Sequence, residues 1–184
     1  MIDLDQRTAG LLLHVTSLPG PHGIGDFGPD AYRFVDWLQS AGQHVWQWLP
    51  TNPIGPGNSP YQSVSAFAGS PLMVALEPLV DAGWLPAPAL PDNGFDARTI
   101  DFGNVIAWRQ SQLRAAYAGF VAKNDASERA ALAQWSAQQT DWLDDYTLFM
   151  ALQNAHNGAT WWQWPAPLRN RDTAALAAAR KQYA

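Results

Sequence analysis

The chain has no cysteine in 184 residues, which excludes disulfide bonds and thiolate metal sites and fits a reducing compartment. No apolar run comes near the roughly 20 residues that span a bilayer. The first residues, Met1 to Arg7, are acidic where a signal peptide is basic. These absences predict a cytoplasmic protein with no membrane partner. Positive charge is also scarce. Lys and Arg number 11 against 16 Asp and Glu, a net charge of −5, and a surface of that sign opposes a phosphate backbone, so nucleic acid is not an expected partner. The histidines His14, His22, His44 and His156 show no ligand spacing, and no metal site is expected. No repeat is evident.

What is present in excess is tryptophan. Ten indoles, with 47% apolar and 15% charged residues, mark a folded protein that uses Trp several times more often than usual. The length suits one substantial core with room for a second lobe.

Along the chain, Gly10 to Val15 is a short apolar run closed by the turn-rich Thr16 to Pro21, which reads as a buried strand and its loop. The stretch Gly23-Ile24-Gly25-Asp26-Phe27-Gly28 follows; it lacks the spacing and acidic partner of a dinucleotide fingerprint. Phe34, Val35, Leu38 and Ala41 recur at helical intervals after Pro29, with Gly42 as a stop. A second apolar run, Val45 to Pro50, completes a right-handed βαβ unit. Leu72 to Ala82 reads as a strand edge with a short helix, and Trp84 to Pro91 as a Pro-rich connector.

The remainder is helical. One helix runs from Asn104 to Lys123 with Ile106, Leu113, Tyr117 and Phe120 in phase, capped by Asp101. An Ala-rich helix from Ser127 to Gln138 carries Leu132 and Trp135. A third starts at a cap on Asp141, aligns Trp142, Leu143, Tyr146, Phe149 and Met150, and stops at Asn157-Gly158. Another Ala-rich helix occupies Asp172 to Ala184. The organisation expected is an α/β portion over residues 1–83 and a helical subdomain over 84–184. Two parallel strands make no stable sheet alone, so polypeptide outside this chain is expected to complete it.

The chemistry is concentrated in one loop. Asn58-Ser59-Pro60-Tyr61-Gln62-Ser63 lies behind the carboxyl end of the second strand, where α/β folds place ligand loops. Tyr61, fixed by Pro60 and flanked by hydrogen-bonding Asn58, Ser59 and Gln62, offers a flat apolar ring beside polar groups, the combination a sugar ring needs. His14 closes the first strand, where a barrel residue faces the catalytic mouth; the same place equally suits a histidine hydrogen-bonded to backbone. Glycosyl chemistry needs two carboxylates flanking the bond. Asp26, Asp36, Asp101, Asp144 and Asp145 are the candidates, none of them a convincing nucleophile, and Asp101 and Asp141 read as helix caps. Trp46, Trp48, Trp135 and Trp142 read as core. In Trp161-Trp162-Gln163-Trp164-Pro165, three indoles in a Pro-bounded loop cannot all face inward.

Arg7 to Gly20, Gly23 to Gly28, Trp46-Gln47-Trp48-Leu49-Pro50, Ser59-Pro60-Tyr61-Gln62-Ser63 and Ser65-Ala66-Phe67-Ala68-Gly69 resemble, in order, the amino-terminal part of the 4-α-glucanotransferases, or amylomaltases, of glycoside hydrolase family 77. Trp164 to Arg169 looks like the same family's helical insertion. The resemblance implies a (β/α)8 TIM barrel of the α-amylase clan, here incomplete. It also implies transfer of a 1,4-α-glucan segment to the 4-hydroxyl of an acceptor such as glucose or maltose, by retaining double displacement and without a cofactor. On that resemblance Tyr61 lines the donor site and Ser59 adds polar contacts; with Asn58, Pro60 and His14 from the reading above they form the expected substrate-binding set. The family's nucleophilic Asp, acid/base Glu and stabilising Asp lie on later strands, so this chain is expected to hold no catalytic carboxylate and to be inactive alone. Pro56 stands where the family often has a Tyr tied to a second glucan site. A non-catalytic α-glucan-binding module using Tyr61 and the Trp161–Trp164 cluster is the alternative.

Overall fold

The computed structural model describes residues 7–87, 94–96 and 98–183. Among them, strands β1 (Gly10–Leu12) and β2 (Val45–Gln47) pair in parallel with Leu11 opposite Trp46. Helix α1 (Pro29–Ser40) connects them. Proline at its first turn has no N–H to satisfy, and Gly42 beyond its end takes the left-handed φ of 68° that a helix stop requires. The strand, helix, strand order expected from the apolar runs is therefore present, with shorter strands.

The strands differ from expectation in burial. Both read as buried, yet all three residues of β1 are exposed, and β2 is at best half-buried. Parallel sheets are normally covered on both faces. Here α1 contributes Phe34 against Trp46, with ring centroids 4.9 Å apart, and no third strand pairs with either edge among the described residues.

After β2, a loop of more than twenty residues leads to a 3-10 turn at Pro71–Met73 and helix α2 (Glu77–Asp81). The strand edge expected within Leu72 to Ala82 is absent: Pro71 starts a turn in which the Val74 N–H donates to the Pro71 carbonyl, so those groups never enter a ladder. The Pro-rich connector is described only to residue 87.

Helix α3 (Phe102–Lys123) is capped by Asp101, whose carboxylate accepts from the Asn104 N–H at 3.2 Å, as its position predicted. Its buried face is Val105, Arg109 and Ala116, one position away from the stripe of Ile106, Leu113, Tyr117 and Phe120 read from the sequence; Tyr117 is exposed. Two residues hid that face: Arg109 is charged, and Gly119 has no side chain. A Cβ there would lie 1.9 Å from the Trp84 carbonyl oxygen.

The chain forms two compact units, residues 1–125 and 126–184. Helix α3 packs into the first unit, whose core joins Ile24, Leu72 and Val105. In the second unit, α4 (Ala126–Ala137) buries none of its residues, so Trp135 is exposed rather than core. Helix α5 (Leu143–Ala155) begins after Trp142, not at a cap on Asp141, and Asn157 and Gly158 stop it with φ of 53° and 77°. Short α6 (Ala166–Arg169) and α7 (Thr173–Tyr183) complete the unit around Leu148, Leu152, Trp164 and Ala179. No helix among the described residues is long and apolar enough to cross a membrane.

Candidate functional site

The loop from Trp48 to Ser70 is built by its own small residues. Gly57 and Asn58 both take left-handed φ, 68° and 60°, which glycine and asparagine tolerate best. That reversal lets the Asn58 N–H donate to the Gly55 carbonyl and the Gly55 N–H to the Ser59 carbonyl at 3.0 Å. Serine hydroxyls then order the rest. Ser59 Oγ accepts from the Tyr61 N–H at 3.3 Å, Ser63 Oγ from Ser65 N–H at 3.2 Å, and Ser65 Oγ from the Phe67 and Ala68 amides. The loop closes where the Ser70 N–H donates to the Thr51 carbonyl at 2.8 Å and Asn52 Nδ2 to the Ala68 carbonyl.

Tyr61 emerges from this frame 71% exposed, with no aromatic partner for its ring and no hydrogen bond to its hydroxyl among the described residues. Single exposed rings are common, and Phe67 of the same loop is 73% exposed; what sets Tyr61 apart is the ordered turn that presents it. Asn58 is exposed, and Ser59 and Pro60 are half-buried within the same turn.

His14 stands past the end of β1, where its carbonyl accepts from the Ser17 N–H in the first 3-10 turn. Its ring is half-buried, Nδ1 has no hydrogen-bond partner, and burial lowers its pKa from the ordinary 6.5. The ring is therefore the neutral imidazole at neutral pH, and its Nδ1 is not spent on backbone. Among the described residues no hydrogen bond ties His14 to the Tyr61 turn. Parallel pairing sends the segments that lead to His14 and to the Tyr61 turn out of the same end of the sheet, and the ladder runs on as Leu13 N–H donates to the Gln47 carbonyl. Trp46 Nε1 donates to the Leu13 carbonyl at 2.8 Å. Trp48, read as core, is instead exposed, and it meets Trp46 and Phe27 edge-on at 5.0 and 6.0 Å. Phe27 is a member of this aromatic rim that sequence reasoning missed; its signal was an apolar ring inside a loop of glycines.

Two carboxylates approach one another, Asp26 and Glu77. Each is already occupied. Asp26 Oδ2 accepts from Arg109 Nη2 at 3.0 Å and its Oδ1 from the Gly28 N–H at 2.9 Å, while Glu77 Oε1 lies 3.0 Å from His22 Nε2. Burial raises the Asp26 pKa, with Arg109 opposing the shift. Such perturbation also marks catalytic acids. The main chain of Gly28 packs tightly on Asp26, since a Cβ built on it would lie 2.7 Å from Asp26 Oδ1. Asp145 is held by Arg171 and Arg180 at 2.6 and 3.1 Å.

In the second unit the Trp cluster divides. Trp164 is core, its Nε1 donating to the Ala159 carbonyl at 3.0 Å, while Trp161 and Trp162 remain exposed with centroids 5.8 Å apart. Trp161, Phe149, Leu168 and Arg169 help line a cavity of about 320 Å³.

Residues 13–184 match the profile of the 4-alpha-glucanotransferase family, glycoside hydrolase family 77, and the chain belongs to that family. It is 46% identical to the 4-alpha-glucanotransferase of Thermus thermophilus over 178 residues, which are 97% of this chain and 35% of that protein. It is 43% identical to the Synechocystis enzyme of the same name, covering 94% of this chain and 34% of the relative. Among solved structures, an amylomaltase from Streptococcus agalactiae in complex with acarbose matches at a TM-score of 0.90 and 31% identity, over 97% of this chain and 36% of that one. The chain thus spans about a third of the length of the relatives it matches.

Proposed function

We propose that the full-length protein is a 4-α-glucanotransferase and that these residues are its amino-terminal part. The observation that carries this reading is the superposition of nearly the whole chain on an amylomaltase that binds acarbose. On this reading β1, α1 and β2 begin a (β/α)8 barrel, the later helices form an insertion, and the protein works in the cytoplasm. Tyr61 stacks on the transferred glucose, Asn58 and Ser59 bond its hydroxyls, Pro60 holds the ring in place, and neutral His14 adds a polar contact from the first strand. The nucleophile and the acid/base lie on later strands. They open a 1,4-α-glucan with retention and pass the glycosyl group to the 4-hydroxyl of glucose, maltose or a longer acceptor.

The test is kinetic. Tyr61→Ala in the full-length protein lowers kcat/KM for maltotriose disproportionation roughly 10- to 100-fold, about 1.4–2.7 kcal/mol, while Tyr61→Phe stays within a few-fold because stacking survives. Unchanged kinetics in a folded Tyr61→Ala protein remove Tyr61 from the donor site. A second reading, an α-glucan-binding module that uses Tyr61 and the Trp161–Trp164 cluster, draws support from exposed Trp161 and Trp162. It predicts glucan binding without any turnover by the full-length protein.

A further inference from the structure

Arg109 has no place in the reaction as proposed, yet it is the largest wholly buried side chain among the described residues. Burying a guanidinium is costly unless directional partners meet it, so its partners indicate its use. A single nitrogen, Nη2, donates both to Asp26 Oδ2 at 3.0 Å and to the Val74 carbonyl, while buried Nε and Nη1 have no hydrogen-bond partner among the described residues. Asp26 belongs to the loop that leaves the carboxyl end of β1, and Val74 to the short link between the Pro71–Met73 turn and α2, just past the point where Ser70 closes the loop after β2. The neighbouring Trp108 stacks on His22 of the first loop at 5.5 Å, and His22 in turn meets Glu77 just beyond the second loop. Between the segments themselves the Phe27 N–H donates to the Met73 carbonyl at 3.1 Å, and Ile24 packs with Leu72 in the core.

The geometry points to Arg109 as a positioning residue: its buried guanidinium pins the loop after β1 to the segment that ends the loop after β2 and so helps set the separation between the His14 side and the Tyr61 side of the sugar-contacting rim. The inference rests on the function proposed above. An apolar side chain of equal volume would fill the space, but it would not fix two loops to one point. A lysine ammonium would, since it carries several donors on one nitrogen.

The experiment compares Arg109→Met and Arg109→Lys in the full-length protein, well below the melting temperature, by hydrogen exchange and by maltotriose kinetics. In Arg109→Met the Gly25 and Phe27 amides exchange at least tenfold faster while the α3 amides keep wild-type protection, and KM rises at least fivefold with a smaller change in kcat. Arg109→Lys restores both readouts to within threefold of wild type. Faster exchange with wild-type KM, or unchanged exchange, overturns the proposal, because a merely structural residue lowers stability without moving KM. Should Arg109→Met not fold, Asp26→Asn, which keeps the shape and loses the charge, is expected to move both readouts in the same direction; no movement overturns the proposal. Wild-type protein without disproportionation would instead refute the function proposed above, while the exchange measurements still judge the pinning of the loops.

Discussion

Gly55 and Gln62 touch backbone to backbone: a Cβ on Gly55 would fall 1.8 Å from the Gln62 carbonyl oxygen. Gln62 follows Tyr61 directly, so this contact closes the base of the turn that presents the ring. Gly55 itself has φ of −96°, open to any residue, which makes the constraint one of space rather than of conformation. Gly55→Ala is therefore predicted to push the turn open, cost about 1–3 kcal/mol of stability as overpacking does, and lower kcat/KM for maltotriose. Denaturant melts and initial rates on the full-length protein check both effects.

Trp164 anchors the second unit. Its indole is 6% exposed and packs on Phe149 at 5.4 Å, with Nε1 on the Ala159 carbonyl. Trp164→Ala is expected to cost about 3–5 kcal/mol through the cavity it leaves. Trp164→Phe, which keeps most of the ring and strands one carbonyl, is expected to cost about 1–3 kcal/mol. Trp162→Ala, at an exposed position, is expected to leave stability unchanged within about 0.5 kcal/mol. Equilibrium urea denaturation orders the three.

Burial holds the His14 pKa below its ordinary 6.5. As pH falls through 6.5, the unfolded chain takes up a proton before the folded protein does, so the stability associated with neutral His14 is complete above 6.5 and is lost through the lowered folded value. His14→Gln is predicted to flatten that part of the stability profile. Denaturation midpoints measured from about pH 8 down to about pH 5 report it; superimposable slopes for the two proteins would contradict it.

Much of this was legible in the sequence because local rules and the fold agree. Gly42, Asp101 and Asn157-Gly158 end or begin helices where their own conformational preferences place them. The Tyr61 turn was legible for the same reason, since glycine, asparagine and serine each satisfy the backbone there. Burial was less so. The exposed face of Trp48 depends on what lies over a two-stranded sheet, which no residue within the strand specifies. Arg109 falls four residues after Val105, on the buried stripe, but its charge gives no sign of burial; its partners Asp26 and Val74 are 83 and 35 residues away, and only tertiary structure brings them together. Asp141 had the right side chain for a cap, but the chain enters α5 one residue later through Trp142, whose Nε1 bonds to Gln139 Oε1 at 3.0 Å.

The central claim is that this chain presents the ring that holds glucose and lacks the acids that cut and rejoin the glucan. Maltotriose disproportionation, run on the 184-residue chain and the full-length protein side by side, tests it most directly. The account predicts glucose and longer maltooligosaccharides from the full-length protein and neither from the chain by itself. Glucose released from maltotriose by the 184 residues alone would contradict it.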